Sequence, residues 1–237
     1  MSTPFLSVRN LRIAFGTRVV IRDLSFEVAS GDCLSVIGPN GAGKTVLLRA
    51  MLHLIPYEGE IHWSADARLG YVPQRVAAEK NQPLSVRDLL AAKAAVLKLP
   101  QGELAGVFRE IGLAAELFDS GLAALSGGQL QKVLVAFALL GQPNVLLFDE
   151  PTASLDELSE ERIYELIHSL KQEKGITVIL VSHDLSVVYR YADQVLCLSK
   201  GRVCMGPPRE ILTPEMLEQL YAAPPKYYRH SETHRES

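Results

Sequence analysis

A short apolar run, CLSVIG at 33–38, opens directly into GPNGAGKT at 38–45 and then into the apolar stretch LLRAML from Leu47. That order constrains the fold more than any other feature of the chain. Nearly continuous apolarity over so few residues marks a strand buried on both faces, as in a parallel sheet. The glycines behind it let the backbone turn tightly around an anion. The helix that follows offers unpaired N–H groups and the positive end of its dipole. Gly38, Pro39, Asn40, Gly41, Ala42, Gly43, Lys44 and Thr45 are therefore candidates to cradle nucleotide phosphates, with Lys44 reaching the β- and γ-phosphates and the Thr45 hydroxyl ligating Mg²⁺. This motif alone also suits kinases and GTPases.

The second half of the chain separates those classes. VLLFDE at 145–150 is another buried strand, and it ends in two carboxylates at the edge where α/β proteins place ligands. Asp149 is expected to hold Mg²⁺ directly or through water. Glu150 is expected to orient or deprotonate the attacking water, as the general base. Before this strand stands LSGGQ at 125–129, where Ser126 can cap a helix and Gly127 and Gly128 expose backbone N–H groups, a second anion site without a lysine. SHD at 182–184 follows the apolar strand ITVILVS.

In this order and at these distances, the four segments resemble the nucleotide-binding subunits of ATP-binding cassette (ABC) transporters over nearly the whole chain. The resemblance implies an α/β fold, a P-loop NTPase (RecA-like) core with an antiparallel β subdomain and an inserted α-helical subdomain. It divides a single domain of 1–237 into a β layer and P-loop core at 1–84 and 141–221, a helical subdomain at 85–140, and a flexible tail at 222–237. It implies ATP and Mg²⁺ as cofactors, with Thr45, Gln74 and Asp149 around the metal. Ser126, Gly127, Gly128 and Gln129 would bind the γ-phosphate held by another copy, so that two head-to-tail chains sandwich two ATP molecules. Gln74 matches the glutamine that senses Mg²⁺ and water, His183 the histidine at the γ-phosphate, Asp156 the loop crossing the dimer interface, and Phe15 the aromatic stacked on adenine.

Two positions depart from the family. Val46 replaces a hydroxyl residue near the α-phosphate, leaving only its backbone N–H to contribute. Phe137 stands where the family often has arginine, and arginine's fork of donors has no counterpart in phenylalanine. NQPLSVRDLL at 81–90 and the segment from His183 to Tyr221 are similar to subunits of metal importers for zinc, manganese or iron, zinc ahead. That likeness implies membrane permease subunits as partners, an indirect link to a periplasmic or extracellular metal-binding protein, and a place at the cytoplasmic face of the membrane. The surface from Gln74 to about Leu97, with Arg75 and Arg87, is expected to receive a permease helix. The alternatives are a soluble ABC ATPase of iron–sulfur assembly and an importer subunit for a non-metal solute.

No run approaches the roughly 20 apolar residues that span a bilayer, and MSTPFLSVRN lacks the apolar region of a signal peptide. A net charge of −3 leaves no basic footprint for nucleic acid. Residues from about Leu6 to Ala29 read as antiparallel strands with a turn at Phe15 to Thr17. Ser159 to Lys174 reads as a helix with Ile163, Leu166, Ile167 and Leu170 on one face. Cys197 and Cys204 flank a hairpin turn at Lys200 and Gly201 that places them opposite each other. With Cys33 they are expected to be reduced thiols. The tail from Ala222, with Pro224, Pro225, His230 and His234, is polar and expected to be mobile.

Overall fold

The computed structural model of the chain describes residues 4–74, 84–100, 102–153, 155–199 and 202–221. The 222–237 tail, Arg75 and the Lys200–Gly201 turn lie outside the described residues.

The chain opens with strands β1 (Leu6–Phe15), β2 (Arg18–Val28) and β3 (Cys33–Ile37), then helix α1 (Lys44–Met51) and strands β4 (Glu58–Trp63) and β5 (Leu69–Val72). The helical segment holds α2 (Val86–Leu97), α3 (Gly102–Glu110) and α4 (Gly127–Leu139), with 3₁₀ turns at Ala115–Asp119 and Leu122–Ala124. The alternating part follows as β6 (Val145–Asp149), α5 (Glu157–Lys174), β7 (Thr177–Val181), α6 (Leu185–Tyr191), β8 (Gln194–Ser199), β9 (Arg202–Gly206), α7 (Pro208–Ile211) and α8 (Pro214–Tyr221).

Two sheets result. β2, β1 and β4 form an antiparallel layer, with the β1–β2 turn where it was expected. The larger sheet runs β5-β6-β7-β3-β8-β9, parallel except for β9, which returns antiparallel on β8. Side chains alternate across each of its strands. Val145, Leu147, Ile179 and Val181 face α1 and the antiparallel layer in one apolar cluster. Leu146, Phe148, Val178 and Leu180 face α5 and the helical segment in another. Both faces are covered, so β6 and β7 are apolar at nearly every position. Truncating the fully buried Phe148 would cost about 3–5 kcal/mol.

Local signals set the helix ends. α2 begins in a reciprocal capping box between Ser85 and Asp88. α5 starts two residues earlier than periodicity suggested because Asp156 accepts from the Ser159 N–H and caps it. It ends at Gly175, whose φ of 63° favours glycine. Ile163, Ile167 and Leu170 are buried along it, with Leu166 half-buried beside them. Ser159, expected as the first residue of the helix, lies in its first turn and donates to Asp156.

Cys197 and Cys204 are opposed in the β8–β9 register, as the hairpin reading required. Their oxidation state differs from expectation: they are joined as a disulfide, with Cα atoms 5.0 Å apart. The register brings the pair within the usual disulfide span. Cys33 is a buried free thiol, and burial pushes it up to about 12.

Candidate active site

The loop from Gly38 to Gly43 leaves β3 at its C-terminal edge and enters α1. A Cβ on Gly38 would fall 2.0 Å from the Leu198 carbonyl oxygen, so only glycine fits where the loop passes β8. Gly43, at φ 101°, is the N-cap of α1 and has no side chain to offer the first N–H groups of the helix. Those donors stay open to an anion. Lys44 is 6 % exposed, and its ammonium donates to the carbonyls of Gly38 (2.9 Å) and Pro39 (3.4 Å). It therefore reaches back over the loop, as a phosphate-binding lysine must.

β6 delivers the two carboxylates to the same edge. Asp149 is 2 % exposed, and the Thr45 hydroxyl donates to its Oδ1 at 2.9 Å. Burial holds the Asp149 carboxyl above the ordinary aspartate range; the Thr45 hydrogen bond opposes this, and the Glu150 charge adds to it. Glu150 lies between Gln74, whose Nε2 donates to Oε2 at 2.9 Å, and Lys44, whose Nζ is 3.5 Å from Oε1. Its φ of 48° is uncommon for a residue with a side chain, and strain of this kind collects at functional sites. Its N–H is held by the Val181 carbonyl at 3.1 Å. Lys44, Thr45, Gln74, Asp149 and Glu150 are thus one contact cluster drawn from three elements.

The remaining expected residues lie outside this cluster. His183 is exposed two residues past the end of β7, whose Val181 holds Glu150. Phe15 ends β1 and is 49 % exposed, which removes the reading of it as a core aromatic. Ser126 caps α4 by accepting from the Gln129 N–H, while Gln129 Oε1 accepts from the Ser126 N–H at 2.9 Å. Gln129 is thereby committed to its own helix, and the Gly127 and Gly128 N–H groups are what α4 can present. Asp156 is likewise engaged, since the Ser159 backbone and hydroxyl hold its carboxyl below the usual range. Val46 is half-buried against the apolar cluster of α1 and the antiparallel layer.

Phe137 has acquired a different partner from the one an arginine would make. The Lys93 ammonium, from α2, lies 4.6 Å from its ring centroid and donates to the Phe137 and Ala138 carbonyls. A cation therefore still serves the C-terminal turn of α4.

Sequence reasoning missed a hydroxyl network behind the carboxylates. Thr152 donates to Glu160 at 2.7 Å and lies 2.9 Å from the Tyr164 hydroxyl, which is 3.4 Å from Ser182 Oγ. It ties the segment after Glu150 to α5 and to the residue before His183. Nothing in the spacing of these residues announces it. It also missed Tyr71, whose hydroxyl faces Asp149.

The residues present fit a magnesium nucleotide. The open N-terminus of α1 with Lys44 suits phosphates, and the Thr45 and Asp149 oxygens are hard donors suited to Mg²⁺.

Residues 21–153 match the family model described as ABC transporter. A protein of Yersinia enterocolitica described as zinc import ATP-binding protein ZnuC is 38 % identical, over 99 % of this chain and 93 % of that protein. A ZnuC of Halorhodospira halophila is 36 % identical, over 93 % of this chain and 84 % of its own length. Among solved structures, a metal-chelate type ABC transporter in an inward-facing conformation superposes with a TM-score of 0.86 at 29 % identity, covering 94 % of this chain and 90 % of that one. The cbiO1 protein of Clostridium perfringens, part of the transporter complex cbiONQ, gives 0.78 at 26 % identity, covering 92 % and 94 %.

Proposed function

This chain belongs to the ABC transporter family as an ATP-binding subunit, and from that premise we propose that its ATP hydrolysis drives zinc import through a membrane permease. The observation that carries zinc is the likeness to zinc import ATP-binding proteins across 99 % of the chain. Metal importers for manganese or iron are the nearest competing reading.

The contacts among Lys44, Thr45, Gln74, Asp149 and Glu150 support the chemistry assigned to them, and the family resemblance supports the roles of the other residues. Lys44 and the α1 N-terminus take the phosphates, and Phe15 offers its exposed ring to adenine. Thr45, Asp149 and Gln74 would hold Mg²⁺, which when bound offsets phosphate charge. Glu150 is the general base: its carboxylate stands between Gln74 and the phosphate-loop Lys44. His183 contacts the γ-phosphate from the neighbouring strand. Ser126, Gly127 and Gly128 of a second copy close over the nucleotide, with Asp156 at the seam, so the working unit is a homodimer holding two ATP.

Among the described residues no helix is long and apolar enough to cross a membrane. In this reading, which rests on the likeness to import ATP-binding proteins, the translocation path belongs to permease subunits, fed by an external metal-binding protein, with this chain at the cytoplasmic face. The surface around α2 is assigned to the permease helix. Arg87 there is not a free side chain, because it pairs with Asp119 at 2.6 Å and lies 4.3 Å from the Phe118 ring centroid. The division into a core at 1–84 and 141–221 and a helical subdomain at 85–140 is part of the same reading.

Uptake of radiolabelled zinc in cells lacking the gene tests the assignment. Uptake is expected to fall, to return with the wild-type chain, and to stay low with Glu150→Gln. Intact zinc uptake with lost manganese or iron uptake would overturn zinc.

A further inference from the structure

Asp149 presents two carboxylate oxygens in a nearly dry position, and each has one donor from a different element. Thr45 on α1 donates to Oδ1 at 2.9 Å; Tyr71 on β5 donates to Oδ2 at 3.4 Å. β5 runs parallel to β6 with Tyr71 opposite Leu147, which brings the phenol alongside the residue two positions further on. Arg49, one helical turn past Thr45 on α1, brings its positive charge to bear on both the Tyr71 hydroxyl and Asp149. The phenol thus sits between the Asp149 carboxylate and the Arg49 charge. Tyr71 also lies three residues before Gln74, so one strand and its exit contact both carboxylates of the site.

An aspartate χ2 torsion is broad, so a buried carboxylate keeps one orientation only if its oxygens are held. Thr45 holds only Oδ1, leaving Oδ2 to a second donor. Tyr71, on the sheet, is that donor. We propose that Tyr71 is a positioning residue for Asp149: its hydroxyl fixes Oδ2 so that Oδ1, beside Thr45, is the oxygen offered to Mg²⁺, and Arg49 keeps the phenol in place. The inference rests on the assignment of Asp149 as a magnesium ligand.

The test uses the full chain carrying Glu150→Gln, loaded with ATP, with Mn²⁺ as the probe and binding followed by electron paramagnetic resonance. Partners that orient metal ligands typically contribute about 10–100-fold to metal affinity. Adding Tyr71→Phe is expected to raise the Mn²⁺ Kd about tenfold, while ATP affinity measured in chelator stays within about twofold. Arg49→Gln, which retains the phenol, is expected to raise the Kd about threefold, and it decides the matter if Tyr71→Phe does not fold. Mn²⁺ affinity within about twofold of the parent for the folded variant would overturn the role of Tyr71, provided Asp149→Asn weakens Mn²⁺ binding, the ATP phosphates holding the ion in both. If Asp149→Asn leaves binding unchanged, the metal assignment itself fails and the role of Tyr71 with it.

Discussion

The Gln74 amide donates to Glu150 Oε2 at 2.9 Å, joining the exit of β5 to the carboxylate just past β6 across 76 residues of sequence. The other Glu150 oxygen faces Lys44 at 3.5 Å. The proposed base is therefore referenced at once to the phosphate loop and to the segment that leads toward the α2 surface.

Glu150→Gln keeps the shape and the neighbours of this position and removes only the basic group. Hydrolysis is expected to fall about 10²–10⁴-fold, with ATP and Mg²⁺ still bound. Lys44→Ala should instead lose ATP affinity, because its ammonium is what crosses the loop toward Gly38 and Pro39. Steady-state ATPase rates with nucleotide-binding isotherms separate the two, and near-parental turnover in Glu150→Gln would remove it as the base.

Phe15→Ala tests the adenine assignment with little risk to the fold, since the ring is about half exposed at a strand end. Loss of base stacking is worth about 1–3 kcal/mol, or roughly a 5- to 150-fold weaker ATP Kd, with an unchanged Tm. Unchanged ATP affinity by calorimetry would count against it.

Asp149 links stability to pH with a definite sign. Its folded pKa lies above the ordinary 3.8, chiefly through burial. Between the two values the native state binds more protons than the unfolded state, so stability falls as pH rises through the folded pKa. Asp149→Asn should therefore raise the Tm of the nucleotide-free protein at pH 7. The gain should shrink toward pH 4 while ATPase activity is lost at every pH. Scanning calorimetry across that range checks it, and a lower Tm at pH 7 would refute it.

What was legible in the sequence was local. The strand, loop and helix from Cys33 to Met51 carry their signal in consecutive residues, and the start of α4 is visible because Ser126 and Gln129 stand at capping-box spacing. Contacts set by sheet order were hidden. Tyr71 reaches Asp149 from 78 residues away only because β5 lies beside β6. Lys93 reaches Phe137 from another helix. The Arg87 pairing with Asp119 depends on how a 3₁₀ turn packs on α2, which no periodicity encodes. For the cysteines, the facing positions were readable from the hairpin, whereas bond formation depends on register at ångström scale.

The Cys197–Cys204 link predicts a thiol count. Denatured without reductant, the chain should show one reactive thiol, Cys33, and after reduction all three. For so short a closed loop, chain entropy puts the cost of reduction at about 2–3 kcal/mol, read as a lower denaturant midpoint. Three thiols in unreduced protein would mean that the pair is not bonded in solution.

ATP should assemble the protein, and the capping at α4 says which groups do it. Ser126 and Gln129 satisfy each other, so the Gly127 and Gly128 N–H groups, with the outer face of the Ser126 hydroxyl, are what one copy can offer a γ-phosphate held by Lys44 of another. The Glu150→Gln chain should therefore be dimeric by light scattering with ATP and Mg²⁺, and monomeric with ADP. Ser126→Arg should keep ATP binding yet block the dimer, because a bulky side chain would stand where the phosphate must approach. A monomer that hydrolyses ATP at the parental rate would refute the two-copy site.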